Sequence, residues 1–318
     1  MESRKLISFG SSSYVISLPK CWVDQNKLGK GDSLYIEEKP NELLLTIGGT
    51  EKEKEIREKQ VDASNKSMRR IGSEIAAAYL GTYDILEIRN IDEKDAEKIK
   101  QIIQDFAGLE ILEQTSTKIV ARDLINVNEV SIKTLIRRID IILRSMIDDV
   151  LDCFKDCSKV SSFQLSQRDM DVNRLAYLTT RMAISALKDP KLAKKFNTDP
   201  VEIAAGMDLA KLLENIGDQL KRIARHIEYA KEDEKQFNFL WEIFRVMKEK
   251  YTILMKAYYS ADVNTAFEIE MFCAELVKKC DDLFNNGINK HTFNIITKLK
   301  NFVSFVRYAA RTITLSKF

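Results

Sequence analysis

LLENIGDQLKRIARHI, residues 212–227, is the stretch on which the fold turns. Leu213, Ile216, Leu220, Ile223 and Ile227 recur at steps of 3, 4, 3 and 4, and Leu209 extends the series by one more step of 4. That spacing follows the 3.5–3.6-residue turn of an α-helix and lays one apolar stripe along it. Glu214, Asp218, Lys211, Lys221 and Arg222 fall between the stripe positions and form the polar side. A second stripe lies upstream, through Ile132, Leu135, Ile139, Ile142, Met146, Val150 and Cys153. Outward from these two, the periodicity predicts six helices, at about 128–156, 163–188, 202–231, 236–260, 262–285 and 289–315. A 30-residue helix is roughly 45 Å long, too long for a compact globule to cover. Such helices pack as an antiparallel bundle. A weak internal repeat supports this: 212–227 aligns without gaps on KLKNFVSFVRYAARTI (298–313), with Leu213/Leu299, Asn215/Asn301, Ala224/Ala310, Arg225/Arg311 and Ile227/Ile313 identical. The two segments stand third in each half, as in a duplicated three-helix unit.

Upstream of the helices the period changes. Leu6, Ser8, Tyr14, Ile16 and Leu18 alternate with their neighbours, the period of a half-buried strand. Pro19 opens a short helix, PKCWVDQNKL, where its missing N–H costs nothing. Gly29 and Gly31 close it. Two strands, YIEE and LLLTI, follow across Lys39-Pro40-Asn41-Glu42, a turn sequence. EKEKEIREK (51–59) reads as a solvated connector or a helix start. Beyond it, a helix from near Ser64 to Leu80, a strand at 84–88, a helix capped by Asp92 and running to about Phe106, and a hairpin in GLEILEQTSTKIVARDL make a βαβαββ-like α+β unit. The expected domains are therefore 1–50, 51–125 and 126–318, in a mainly α protein.

Composition bounds the function. The chain has 318 residues, 45% of them hydrophobic and 31% charged, with 4 Pro and 11 Gly. It is expected to be globular and to hold more than one core. Five cysteines without a disulfide-like pattern suit a reducing compartment. The N-terminus lacks the apolar core of a signal peptide, and no run of about 18 apolar residues occurs. A cytoplasmic protein that is not inserted in a membrane is expected. A net charge of +2 excludes a bulk polycation, so any nucleic-acid contact must be local. Two histidines offer little acid–base chemistry, and no phosphate loop, nucleotide fingerprint, nucleophile elbow or zinc-protease motif occurs. No enzyme is expected.

RKLISFGSSSYVISLPKCWVDQNKLGKGDSLYI resembles the swapped-hairpin domain of the AbrB/SpoVT transcription factors, in its strand pair, its SLPK step into a short helix and its K-x-G-D-x-L entry to the third strand. The resemblance implies a half-barrel that folds only as a dimer. Some 45 residues with four short strands bury too little surface alone. The remainder resembles PhoU, the negative regulator of phosphate uptake, and especially archaeal relatives with the same N-terminal domain. LLENIGDQLKRIARHI is similar to the family's L-E-R-I-G-D-x-x-x-N-I-A helix, and DMDVNRLAYLTTR (169–181) to its D-x-x-x-D-R-L-x-x-L-x-x-R helix.

The PhoU resemblance implies carboxylates at i and i+4 that share a metal ion. Glu214 and Asp218 keep that pattern. Asp169 is present, but Asn173 stands at the position of its partner, and Lys300 and Ser304 occupy the equivalents of Glu214 and Asp218 in the second repeat. At most one weak divalent ion is expected, near Asp169, Asn173, Glu214 and Asp218. The other reading is a solvated face paired with Lys211, Lys221 or Arg222. Cys153/Cys157 and Cys273/Cys280, with His226 or His291, are more simply core residues than a soft-metal site.

For DNA, residues 1–31 set Arg4, Lys5, Lys20, Lys27 and Lys30 against Glu2 and Asp24, while Asp32, Glu37, Glu38 and Glu42 oppose only Lys39 further on. Arg4, Lys5, Ser11, Ser12, Ser13 and Lys20 are the candidate contacts. Residues 283–318 hold no acid, and Lys300, Arg307 and Arg311 share one helix face there. That face either pairs with acids such as Glu268, Glu270 and Glu275 or docks an anion or partner. Together these readings predict a homodimeric or larger DNA-binding regulator of phosphate homeostasis. By family implication its partner is a phosphate transporter's ATPase subunit or a sensor protein. The alternative is an interaction adaptor whose barrel serves only to dimerise.

Overall fold

The computed structural model describes residues 3–39, 41–47, 56–156, 160–230, 234–283 and 289–316. It divides into two compact units, 1–55 and 56–318.

In the first unit, β1 (Ile7–Phe9) and β2 (Ser13–Val15) pair antiparallel, with Phe9 opposite Ser13. The three-residue connection begins at Gly10, whose φ of 73° suits a residue without Cβ. Helix α1 (Lys20–Gln25) starts after Pro19, whose carbonyl accepts from the Trp22 and Val23 amides at 3.1 Å each. β3 (Leu34–Lys39) and β4 (Glu42–Ile47) form a second antiparallel ribbon, with Lys39 opposite Glu42. The two ribbons are separate two-stranded sheets. Among the described residues of this unit none is buried, and Phe9 and Tyr14 are 70% and 71% exposed. An isolated two-stranded ribbon is marginal in water, and the described residues of the unit form no core for its apolar side chains.

The second unit begins with the α+β segment. β5 (Glu58–Asp62), α2 (Met68–Leu80), β6 (Ile85–Arg89), α3 (Glu93–Gln104), β7 (Leu109–Gln114) and β8 (Lys118–Asp123) give a sheet of order β5-β6-β8-β7. β5 and β6 run parallel, and the other pairs are antiparallel. The connector expected at 51–59 is thus in part a strand, since Glu58 and Lys59 belong to β5; residues 51–55 lie outside the described ones. Parallel pairing on β6 overrides the local charge. One helix start differs from expectation, and one cap is made without its side-chain bond. Ser64 sits in a turn, donating from its hydroxyl to Asp62, and Ser67 caps α2 by accepting from the Arg70 amide. Asp92 holds the N-cap position of α3, but its side chain makes no cap bond and pairs instead with Lys94 at 3.4 Å. Val61, Ile71, Ile75, Leu86, Ile88, Ile99, Ile103 and Ile119 form this segment's core.

The bundle follows as α4 (Ile132–Lys155), α5 (Ser162–Lys188), α6 (Pro190–Lys195), α7 (Pro200–Ile227), α8 (Glu234–Ser260), α9 (Val263–Leu283) and α10 (Lys290–Leu315). The six long helices match those expected from the periodicity. The short α6 is additional: Pro190 cannot continue α5, and at N1 behind the Asp189 cap it starts a new helix. Ser131, Asp199 and Asn289 cap α4, α7 and α10 in the same way, each accepting from the amide three residues on. α7 is the central helix, packing against α4, α5 and α10. Leu209, Leu213, Ile216, Leu220, Ile223 and Ile227 are all buried, as are Phe302, Val306, Ala309 and Ile313 of α10. No described helix is long and apolar enough to cross a membrane.

One side chain ties the α+β segment to the bundle. Arg181, on α5, donates to the Tyr79 carbonyl and, at 3.2 Å, to the Tyr83 carbonyl, and pairs with Asp123. Its guanidinium also lies 4.7 Å from the centre of the Tyr79 ring. Both partners of the ion pair are buried, and the two terminal guanidinium nitrogens are spent within the protein, while Nε is buried without a hydrogen-bond partner.

Candidate functional site

The N-terminal candidates divide into two places on the β1–β2 ribbon. Ser11 and Ser12 lie in the connecting turn and Ser13 opens β2. Arg4 and Lys5 precede β1 at the other end, where the Arg4 guanidinium donates to the Ser17 hydroxyl at 3.4 Å, and Lys20 opens α1 three residues later. A three-residue strand spans roughly 10 Å, so within one chain the serine turn and the cations are not one patch. All six residues are exposed.

The carboxylate face is built by α5 and α7. Gly217 lets the helices approach: a Cβ there would come within 3.3 Å of Leu143 Cδ2 and 3.7 Å of Asp169 Oδ1. Asp169 is buried, and its Oδ2 is held by the Lys221 ammonium. The same ammonium stands 3.3 Å from Asp218 Oδ1, while Arg222 takes Asp218 Oδ2 at 2.5 Å. Asp169 Oδ1 and Asn173 Oδ1 are buried without a hydrogen-bond partner. Burial pushes the Glu214 carboxyl above the usual carboxylate range, and the Asp218 and Asp169 charges push the same way. Two orphaned oxygens one turn apart invite a donor or a cation. The donor set nevertheless does not fit a resident divalent ion, which needs about six oxygens. Asp169 and Asp218 are already engaged by Lys221, and Asp218 by Arg222. Among the described residues no three His, Cys, Asp or Glu side chains gather as a ligand set.

Lys300 and Arg311 of α10 are likewise engaged. Lys300 pairs with Asp281, and Arg311 with Glu270 at 2.5 Å. Arg307 is half-buried beside Cys273. Lys300 and Arg311 are therefore neutralised by acids of α9 that the local sequence of α10 lacks, the pairing with Glu270 being one of those expected, while Arg307 Nε is buried without a hydrogen-bond partner. Of the cysteines, burial pushes the Cys273 and Cys280 thiols up to about 12 and about 11, which keeps them unreactive core groups. Cys157 lies outside the described residues. His226 and His291 meet each other instead, Nδ1 to Nδ1 at 3.2 Å.

With this geometry in view, comparison with known families assigns two segments. Residues 136–227 match the PhoU domain. Residues 7–58 match the antidote–toxin recognition domain of the bacterial antitoxin MazE, in keeping with a swapped-hairpin N-terminus. No curated protein and no solved structure matches the chain. The PhoU match runs from α4 to the end of α7 and so contains the whole carboxylate face. It stops before α8–α10, whose likeness to the first half rests on the repeat of 212–227 in 298–313.

Arg181 was not assigned a role in the sequence reading, and Lys221 was assigned only part of its role, the pairing with Asp218. Arg181 closes the D-x-x-x-D-R-L-x-x-L-x-x-R resemblance, and that terminal arginine was the available signal. Lys221 had been only one of three cations near Glu214 and Asp218. Its reach across to Asp169, 52 positions away, has no local signature.

Proposed function

We propose that this chain is a DNA-binding regulator in phosphate homeostasis, acting in the cytoplasm as a homodimer or larger assembly. The observation that carries the reading is the pairing in one chain of a PhoU match with a MazE antitoxin match. The first points to phosphate regulation and the second to DNA binding and dimerisation. Exposed apolar residues support self-association: Ile7, Phe9, Tyr14, Tyr35, Ile36 and Leu43 have no cover within the chain's own N-terminal unit. A second copy would supply it. The dimer would double Arg4, Lys5 and Lys20, bringing six cations to the phosphates of a duplex. Both matched domains belong to regulatory families, so the reading is regulatory rather than enzymatic. A phosphate transporter's ATPase subunit or a sensor protein is the proposed partner of the helical region.

The test is binding to duplex DNA from the gene's own upstream region, titrated with salt. Each phosphate contact steepens the salt dependence by roughly 0.9 in the log–log slope. The Arg4→Ala/Lys5→Ala/Lys20→Ala variant should lose binding and flatten the slope while keeping its helical signal. An unchanged slope with intact self-association would favour the adaptor reading, in which the N-terminal unit only dimerises.

A further inference from the structure

We propose that Lys221 is a built-in cation: its ammonium occupies the place of a divalent ion between α5 and α7, so that the carboxylate face needs no metal. The starting point is the mismatch between the donor set and a metal centre. Asp169 is the most enclosed carboxylate of the face, its side chain 4% exposed, and the group that meets it is the Lys221 ammonium, 19% exposed. An ammonium carries three donors and no acceptor. It donates to Asp169 Oδ2 and lies 3.3 Å from Asp218 Oδ1, and these two carboxylates are on different helices. A metal ion shared by α5 and α7 would make that same bridge, joining a carboxylate of each helix.

Charge points the same way. Asp169, Glu214 and Asp218 face Lys221 and Arg222, with Asn173 neutral, so the face is close to balanced by side chains alone. The second half of the bundle holds a similar pair at a different position of the repeat, since Lys221 aligns with Arg307 and Lys300 with Glu214. Lys300 of α10 meets Asp281 of α9, as Lys221 of α7 meets Asp169 of α5. In each half the third long helix supplies a lysine to an aspartate of the helix before it. The second pair is much more exposed, with side chains 34% and 49% accessible, so solvent screens it and the first pair carries the effect.

The experiment is thermal melting of the full-length chain in EDTA and in millimolar MnCl2, with Mn2+ also titrated against the protein by calorimetry. The wild type should melt at the same temperature in both conditions and take up no Mn2+ at micromolar concentration. Lys221→Met leaves Asp169 buried and unpaired, and should lower the melting temperature in EDTA by on the order of 10 °C. Mn2+ should restore part of that loss. The double variant Asp169→Asn/Lys221→Met removes both charges and should melt near the wild type, whether or not the single variant folds. The proposal is overturned if the wild type gains several degrees from Mn2+ or binds it tightly. It is equally overturned if Lys221→Met melts like the wild type in EDTA, if Mn2+ restores nothing to it, or if the double variant is as unstable as the single one.

Discussion

The two units of this chain handle the same kind of side chain in opposite ways. Phe9, in a three-residue strand, is 70% exposed, whereas Phe302, in a 26-residue helix, is fully buried. Both are phenylalanines beside other apolar residues, Phe9 sharing its side of the ribbon with Ile7 and Val15. The difference lies in what each element finds within its own chain. The long helices of the bundle lie against several neighbours, and α7 alone touches α4, α5 and α10. The ribbons of the N-terminal unit are two-stranded and separate, and among its described residues nothing covers their apolar faces. Apolar patterning prescribes burial, but only length and partners deliver it.

Matched truncations break or sharpen this contrast most strongly. Phe302→Ala removes a core ring that packs near Phe244 and should cost about 3–5 kcal/mol in chemical denaturation. Phe9→Ala should leave that unfolding transition almost untouched and shift the self-association equilibrium measured by analytical ultracentrifugation. A large loss of bundle stability from Phe9→Ala would show that the contrast is misdrawn.

Next in size is the joint between the α+β segment and the bundle. Arg181→Met strands a buried Asp123 and leaves the Tyr79 and Tyr83 carbonyls without this donor, and should cost about 3 kcal/mol. The further change Asp123→Asn should recover part of it. Hydrogen exchange in α2 and β8 should rise in the single variant before the amides of α7 respond. Uniform loss of protection would mean that the two segments unfold as one cooperative block.

A smaller effect tests how far local sequence matters inside the bundle. Ser131 caps α4 by accepting from the Thr134 amide at 3.2 Å, and Ser131→Ala should cost about 1 kcal/mol. If it costs several, the Ser131 side chain does more than cap.

The smallest effect is a pH dependence. Burial, and after it the charges of His291, Lys298, Arg225 and Lys290, hold the His226 imidazole below its ordinary range. The unfolded chain therefore takes up this proton first. The contribution of His226 to stability is complete above about pH 6.5 and is lost as pH falls toward the lower folded value. The melting temperature should fall between pH 7.5 and 5.5, and His226→Gln should make that fall shallower. An identical pH profile in the variant would rule the histidine contact out as its source.

The sequence by itself determined the elements that repeat. Every apolar position read in 209–227 is buried, and the face assigned to Phe302, Val306, Ala309 and Ile313 is the one that packs. A helix presents the same face every 3.6 residues whatever lies opposite, so its burial can be read along the chain. What the sequence left open were meetings between distant positions. Lys221 reaches Asp169 across 52 residues and Arg181 reaches Tyr79 across 102, and in both cases the local spacing is compatible with a solvated charge. Lys300 and Arg311 could by sequence either pair with acids or dock an anion, and α9 brings Asp281 and Glu270 against them. Glu58 and Lys59 looked like a connector until β6 offered them a parallel neighbour. Periodicity is a property of one segment, and the sequence states it outright. The worth of a charge depends on its partner and on the water removed around it, and only the tertiary structure decides both.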